Sequence, residues 1–259
     1  MAKYNKLAGK HFLVIGGTKG IGRGVVEGAI EAGARVTLAG SSTASVSKAL
    51  DEVRAAYPSA QVAGFACDLS KDTVEQDLDA LFARAKEAQG EVDHVVLTAA
   101  DPLAVMGVDE ISLERVRKVA HMRMAVPMLL GKAAARHVRR SHECSLTLST
   151  GGIADSPASG WSVIAFMAAG LTGLTRNLAL DLKPLRVNAV EPGFVDTPLW
   201  ESIGFTAEQK AAVFNEWSKK LPTGQIGLVE DVAEAYIYLA KDSNATGEIV
   251  KTRGGHNLI

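Results

Sequence analysis

Cysteine is nearly missing from this chain: Cys67 and Cys144 are the only two in 259 residues, and each lies in or beside an apolar segment. That excludes a disulfide framework and a cysteine-built metal centre, and leaves two buried, reduced thiols. The six histidines have no ligand spacing, so no metal is expected. An excess of charge is also missing. Lysine and arginine number 28 against 29 acidic residues, for a net charge of −1, which gives no general attraction to nucleic acid or to an anionic membrane. No apolar run approaches the roughly 18 residues of a membrane span. The start, Met1-Ala-Lys-Tyr-Asn-Lys, has no signal-like apolar stretch, so a soluble cytoplasmic protein without a membrane partner is expected. No Pro/Ser-rich linker, charge block or repeat divides the chain, so residues 1–259 read as one domain. Tyrosine is scarce, at positions 4, 57, 236 and 238, and no lysine lies between Lys132 and Lys183.

What is present begins with Val14-Ile-Gly-Gly-Thr-Lys-Gly-Ile-Gly22. The apolar run His11 to Ile15 precedes it, and an amphipathic segment with Ile21, Val25, Val26 and Ile30 follows. That order is strand, glycine turn, helix, and Arg35 to Ala39 then supplies a second strand. Gly16, Gly20 and Gly22 permit a tight turn, close approach to a pyrophosphate and exposed N–H groups at a helix N-terminus, where the dipole favours an anion. Thr18, Lys19 and Ile21 lie in the same turn. A carboxylate about 20 residues further on would accept hydrogen bonds from the ribose of NAD and repel a 2′-phosphate. Ser41, Ser42 and Thr43 stand there instead, and Lys19 adds a cation, so the expected cofactor is NADP(H). A serine here also suits the cap of a helix over Ala44 to Tyr57.

Strand-like and helix-like stretches alternate to the end. Strands are expected at Gln61 to Ala66, Val92 to Leu97, Ser145 to Ser149, Leu185 to Val190 and after Thr246, with helices at Thr73 to Gln89, Trp161 to Leu182 and Val229 to Ala240. The stretch Ile111 to Arg140 reads as a long helix bent or restarted near Pro127, which lacks the N–H a straight interior needs. This alternation predicts an α/β fold, a single doubly wound parallel sheet of Rossmann type, with ligands gathered at the carboxyl ends of the strands.

The G-x-x-x-G-I-G spacing resembles the glycine motif of the short-chain dehydrogenase/reductase superfamily, and the resemblance extends over nearly the whole chain. It implies that Asp68 and Leu69 lie beside the adenine and that Thr98, Ala99 and Ala100 replace the family's Asn-Asn-Ala. It also implies that Pro192, Gly193, Val195 and Thr197 form the turn at the nicotinamide carboxamide. The segment from about 199 to 221 would cover the substrate, with Trp161 and Trp200 walling its pocket, although plain packing explains the aromatics equally well. A homodimer or homotetramer is implied as well.

The family's usual chemistry is what the chain departs from. Counting back from Leu171-Thr-Gly-Leu-Thr-Arg-Asn-Leu-Ala-Leu-Asp-Leu182 puts Ile164 at the catalytic Tyr position and Ala168 at the Lys position. Arg123 takes the place of the supporting Asn, and Thr150 that of the Ser. Without a phenol to protonate an oxyanion, an acceptor that already carries its charge fits better, since a cyclic iminium needs orientation and a counter-charge but no acid. Asp155 is the expected counter-charge, with Arg123 orienting it, binding a substrate carbonyl or replacing part of the missing Lys. Ser156-Pro157 makes Asp155 equally suited to start a turn. The run Ser156 to Ala165 is similar to a fungal secondary-metabolite branch containing NADPH-dependent indole-alkaloid reductases that lack the Tyr/Lys pair and can guide a cycloaddition. The expected substrate is therefore a small apolar organic molecule. A cyclase or isomerase that keeps NADP for structure, a binding protein, and a ketoreductase with another proton donor stay open.

Overall fold

A computed structural model describes residues 3–202 and 204–259. Residues 1 and 2 of the N-terminal stretch, and position 203 within the substrate-covering segment, lie outside them. The chain folds as β1 (His11–Ile15), α1 (Gly20–Glu31), β2 (Arg35–Gly40), α2 (Thr43–Ala56), β3 (Val62–Ala66), α3 (Val74–Gln89) and β4 (His94–Leu97). It continues through α4 (Leu113–Ala120), α5 (Val126–His137), β5 (Ser145–Ser149), α6 (Ser162–Asp181), β6 (Arg186–Pro192), α7 (Leu199–Ser202), α8 (Ala207–Lys220), α9 (Val229–Lys241) and β7 (Ile249–Thr252).

The strands form one parallel sheet in the order β3-β2-β1-β4-β5-β6-β7. This is the doubly wound architecture that the alternation predicts. Parallel strands buried on both faces read as continuous apolar runs, and His-Phe-Leu-Val-Ile of β1 is buried throughout. One face carries α1, α2 and α9, where Val25, Val26, Val46, Val53 and Tyr236 pack on Phe12, Val14, Val36 and Leu38. The other carries α3, α5 and α6, with Leu78, Phe82, Leu130 and Leu171 against Leu13, Val95, Leu146 and Val187.

Two elements refine the expectations. The stretch 111–140 does restart at the proline, but through a π-turn at His121–Ala125 in which the Val126 N–H reaches back five residues to the His121 carbonyl. Pro127 has no N–H for the Arg123 carbonyl, so the regular ladder cannot continue through this point. Helix α6, at 20 residues, is long and apolar enough by composition to cross a membrane, against the expectation that no stretch approaches that length. Its Val163, Ile164, Met167, Ala168, Leu171, Thr175 and Ala179 are buried within the fold, which identifies it as a core helix. Both cysteines are buried free thiols.

Arg186 at the start of β6 is buried and secures the end of α9. Its guanidinium donates to the carbonyls of Leu239 (2.6 Å), Ala240 (2.9 Å), Ala245 (3.3 Å) and His142 (2.6 Å). The Leu239, Ala240 and His142 carbonyls are thereby satisfied, the Ala245 carbonyl also accepts the Asn188 amide at 2.9 Å, and the cation sits where the α9 dipole is negative. Replacing Arg186 with Met is expected to cost about 3 kcal/mol, because buried carbonyls lose a charged donor. Urea unfolding should show a lower midpoint at an unchanged slope.

Candidate functional site

The carboxyl ends of β1 and β4, and the turn at Thr197 and Pro198 that follows β6, meet at the glycine turn. Gly16 and Gly20 have φ of 96° and 54°, which only glycine adopts without strain. A Cβ on Gly22 would collide with the Gly16 carbonyl, and one on Gly16 with the Ala99 N–H and the Thr98 hydroxyl. Gly20 sits against the 195–197 turn, where a Cβ would lie 3.5 Å from Thr197 Cβ. Helix α1 has no side-chain cap at Lys19 and no acidic residue in its first turn. Its first N–H groups and its positive dipole end therefore remain for an anion, and the turn fits a dinucleotide pyrophosphate.

The other expected cofactor residues are placed as follows. The Ser42 hydroxyl accepts the Ser45 N–H at 3.2 Å and is the N-cap of α2, with Thr43 inside the helix. Ser41 lines a cavity. Asp68 accepts the N–H and hydroxyl of Ser70, closing its own turn. Leu69 is buried in the core, and its carbonyl is engaged by the His121 ring at 2.8 Å; only backbone remains there for a ligand. The Thr98 side chain packs back on the glycine turn, with its hydroxyl 3.3 Å from the Ile15 carbonyl, while Ala99 is half-buried and Ala100 exposed. Pro192 ends β6, Gly193 follows and donates to the Thr252 carbonyl at 3.0 Å. The Val195 carbonyl accepts the Trp200 indole N–H at 2.9 Å. Trp200 packs on Phe194, Phe205 and Phe214, so this part of the covering segment is a self-packed aromatic layer fastened to the 195 turn. Trp161, at the start of α6, packs on the cluster of Val119, Val163, Ile164 and Met167.

Ile164 and Ala168 are 3% and 7% exposed. Ile164 belongs to that apolar cluster, and the Ala168 carbonyl accepts the Thr150 hydroxyl at 2.9 Å. Among the tyrosines only Tyr236 reaches a strand end, bonding the Ser149 hydroxyl at 2.7 Å. It is wholly buried, which pushes its phenol far up from its ordinary range.

Arg123 and Asp155 do not pair with each other. Arg123, on the π-turn, lies 2.9 Å (Nε to Oδ1) from Asp101 and donates to the Asp101 carbonyl at 2.7 Å. Burial raises the Asp101 carboxyl, with Arg123 opposing the shift. Asp155, after the short turn Gly152–Ala154, is held by Arg253 at 2.5 Å and by Lys251. Arg253 is in turn paired with Glu191, and these two side chains are 1% and 3% exposed. The expectation that Arg123 orients Asp155 is thus corrected: each has a different partner, contributed by chain distant in sequence. Asp101, Glu191, Lys251 and Arg253 carry no local motif. The one signal for Asp101 was its place directly after Thr98-Ala99-Ala100 at the end of β4.

A glycine turn with an uncapped helix at the carboxyl edge of a seven-stranded parallel sheet is the arrangement of a dinucleotide-binding Rossmann-type domain. The family model for the SDR-like Rossmann domain matches residues 3–259, and the chain belongs to that family, whose cofactor is NAD(P)(H). It is 39% identical to the short-chain dehydrogenase/reductase fsr5 of Gibberella fujikuroi, over 98% of this chain and 97% of that protein. It is 38% identical to malC of Malbranchea aurantiaca, over 96% and 95% of the two chains. The solved MalC reductase/Diels-Alderase superposes with a TM-score of 0.91 over 99% of both chains.

The Arg253 hydrogen bond, followed by that of Lys251, holds the Asp155 carboxyl well below the usual carboxylate range. A depressed folded-state pKa contributes stability that is present above about pH 4, the ordinary carboxylate value, and is lost as pH falls through the folded value. In a carbon-13 titration of labelled aspartates, Asp155 should stay ionised at a pH where ordinary aspartates are protonated. The Lys251→Met variant should move its midpoint upward.

Proposed function

We propose that this chain is an NADPH-dependent reductase of a cyclic imine or iminium, acting on an apolar secondary-metabolite intermediate of alkaloid type. The observation that carries this reading is that Ile164 and Ala168, the α6 positions where the family's acid and lysine are expected, are apolar, while Asp155 in the loop after β5 is kept ionised and cannot serve as a proton donor. Ile164 and Ala168 bring no proton, the Tyr236 phenol is sealed in the core, and Asp155 is kept ionised by Arg253 and Lys251. Reducing a ketone develops an oxyanion that must be protonated, whereas an iminium accepts a hydride at carbon and becomes a neutral amine with no proton uptake.

NADPH, when bound, supplies the hydride. The uncapped start of α1, with Gly16, Gly20 and Gly22, would hold its pyrophosphate, and the turn from Pro192 to Thr197 would hold the nicotinamide end. Asp155 provides the fixed negative charge that attracts and orients the cation, and a counter-charge already in place needs no reorganisation during reaction. Arg123, held by Asp101 through its Nε and one Nη, keeps its remaining donors for a substrate carbonyl. Thr150 steadies the β5 end against α6 through its bond to the Ala168 carbonyl. Leu103, Met106, Ile153, Trp161 and Ile164 form one apolar cluster around the start of α6, and its partly buried members are the surface a flat, largely apolar skeleton would meet. The likeness to a protein named reductase/Diels-Alderase supports a second role for the same surface, shaping the reduced product for ring closure.

The test is NADPH oxidation with the N-methyl-3,4-dihydroisoquinolinium cation and, separately, a ketone of similar size. Turnover of the iminium and none of the ketone is expected. Asp155→Asn and Arg123→Ala should each lower kcat/KM by about 100-fold, the usual cost of a preorganised charged group, while NADPH affinity stays within about twofold. Unchanged turnover in both variants removes these residues from the mechanism. Carbonyl reduction at full rate by Asp155→Asn would favour a ketoreductase.

A further inference from the structure

The two oxygens of the Asp155 carboxylate are held in unlike ways. Oδ1 accepts an Arg253 Nη1 donor at 2.5 Å and the Ser156 hydroxyl at 3.5 Å. Oδ2 meets the Lys251 ammonium, and among the described residues no other group donates to it. Burial separates the two cations as well. The Arg253 side chain is 1% exposed and is paired with Glu191, itself 3% exposed. Two glycines make room for its stem: a Cβ on Gly193 would lie 2.9 Å from Arg253 Cα, and one on Gly152 would lie 3.4 Å from Arg253 Cδ. This guanidinium cannot move off without leaving the Glu191 charge unpaired inside the protein, which is strongly unfavourable.

Lys251 is under no such constraint. It stands on β7 opposite Glu191 of β6, its side chain is 45% exposed, and Asp155 is its one ion-pair partner among the described residues. An ammonium on a flexible four-carbon stem gives up an exposed pair at little cost, because water replaces the contact and the stem regains its rotamers. The local charges point the same way. Glu191, Arg253, Asp155 and Lys251 together are neutral. Once Lys251 withdraws, the other three carry one negative charge, which a monocation at Oδ2 neutralises.

We propose that Lys251 is a placeholder for the substrate: its ammonium covers Asp155 Oδ2 until a cationic substrate displaces it, while Arg253, fixed by Glu191, keeps hold of Oδ1. This rests on the reading of Asp155 as the counter-charge of an iminium. Exchanging one cation for another spares the site an unpaired carboxylate at every stage of binding. It also makes Lys251 a specificity-determining residue. A cation takes over the contact that Lys251 gives up, whereas a neutral molecule of the same shape has no charge to offer Oδ2 and leaves the lysine in place.

The experiment measures binding of N,N-dimethyl-1,2,3,4-tetrahydroisoquinolinium, a cation that cannot accept a hydride, by isothermal titration calorimetry with NADPH present. Isochroman, its neutral oxygen analogue, is the control. The proteins are the wild type, Lys251→Met, Lys251→Arg and Asp155→Asn, and thermal melting checks the fold of each. Lys251→Met should bind the cation about fivefold more tightly and isochroman within about twofold of the wild type, since only the cation competes with the lysine. Lys251→Arg restores a competitor and should return the cation to wild-type affinity or below. Asp155→Asn should weaken the cation by about tenfold or more. Cation binding that is unchanged or weaker in Lys251→Met, with Asp155→Asn weakened as expected, overturns the placeholder and leaves the counter-charge reading standing. Equal tightening of the cation and isochroman in Lys251→Met overturns it too, because the lysine would then act through bulk alone. A cation affinity unmoved in Asp155→Asn instead brings down the counter-charge reading, and the proposal with it.

Discussion

The closeness of α1 to the end of β1 is the constraint on which the site depends. At Gly22 the helix passes so near the Gly16 carbonyl that no Cβ fits between them, and the Thr98 hydroxyl fills the remaining space from the end of β4. Two strand ends and a helix start are therefore locked at one point. The uncapped N–H groups of α1 are aimed by packing, with no side chain directing them. The Gly16 and Gly17 N–H groups bond the Ala39 carbonyl, so the end of β2 is fixed from the same place and Ser41 is positioned with it.

Charge is distributed over this frame in separate pairs. Arg186, at the opposite edge of the sheet, spends its donors on carbonyls and secures α9. Arg253 is buried against Glu191 and reaches up to Asp155. A buried pair of this kind gains little net stability, since desolvation offsets the Coulomb attraction. Its consequence is geometric: β6, β7 and the loop after β5 are tied by one guanidinium. Arg123 and Asp101 tie the loop after β4 to the π-turn in a similar way.

Much of the frame was legible in the sequence because its signals are local. Glycines at 16, 20 and 22, the buried run of β1 and the alternation of strands and helices each follow from backbone sterics and side-chain periodicity over a few residues. Pro127 announced a break, since a missing N–H acts within one turn. The size of the disturbance, a π-turn carrying Arg123, required packing against α6 and the loop after β4. The turn at 192–197 was expected to meet the cofactor by resemblance alone, and its fastening by the Trp200 indole appeared only in the fold. Asp101, Glu191, Lys251 and Arg253 left no motif because their partners lie at long sequence separation: Asp155 meets Lys251 and Arg253 across 96 and 98 positions.

The sequence by itself determined the fold class, the place of the glycine turn, the absence of an acid at Ile164 and Ala168, and the residue types available for chemistry. Each of these is set by residue identity or by forces acting within one or two turns of chain. The tertiary structure decided which charges meet. It gave Arg123 to Asp101 and Asp155 to Arg253 and Lys251, and buried Leu69. The physical reason is that ion pairing and burial depend on distance in space, and in a doubly wound sheet that distance is fixed by strand order, where β7 lies beside β6 and far from β1.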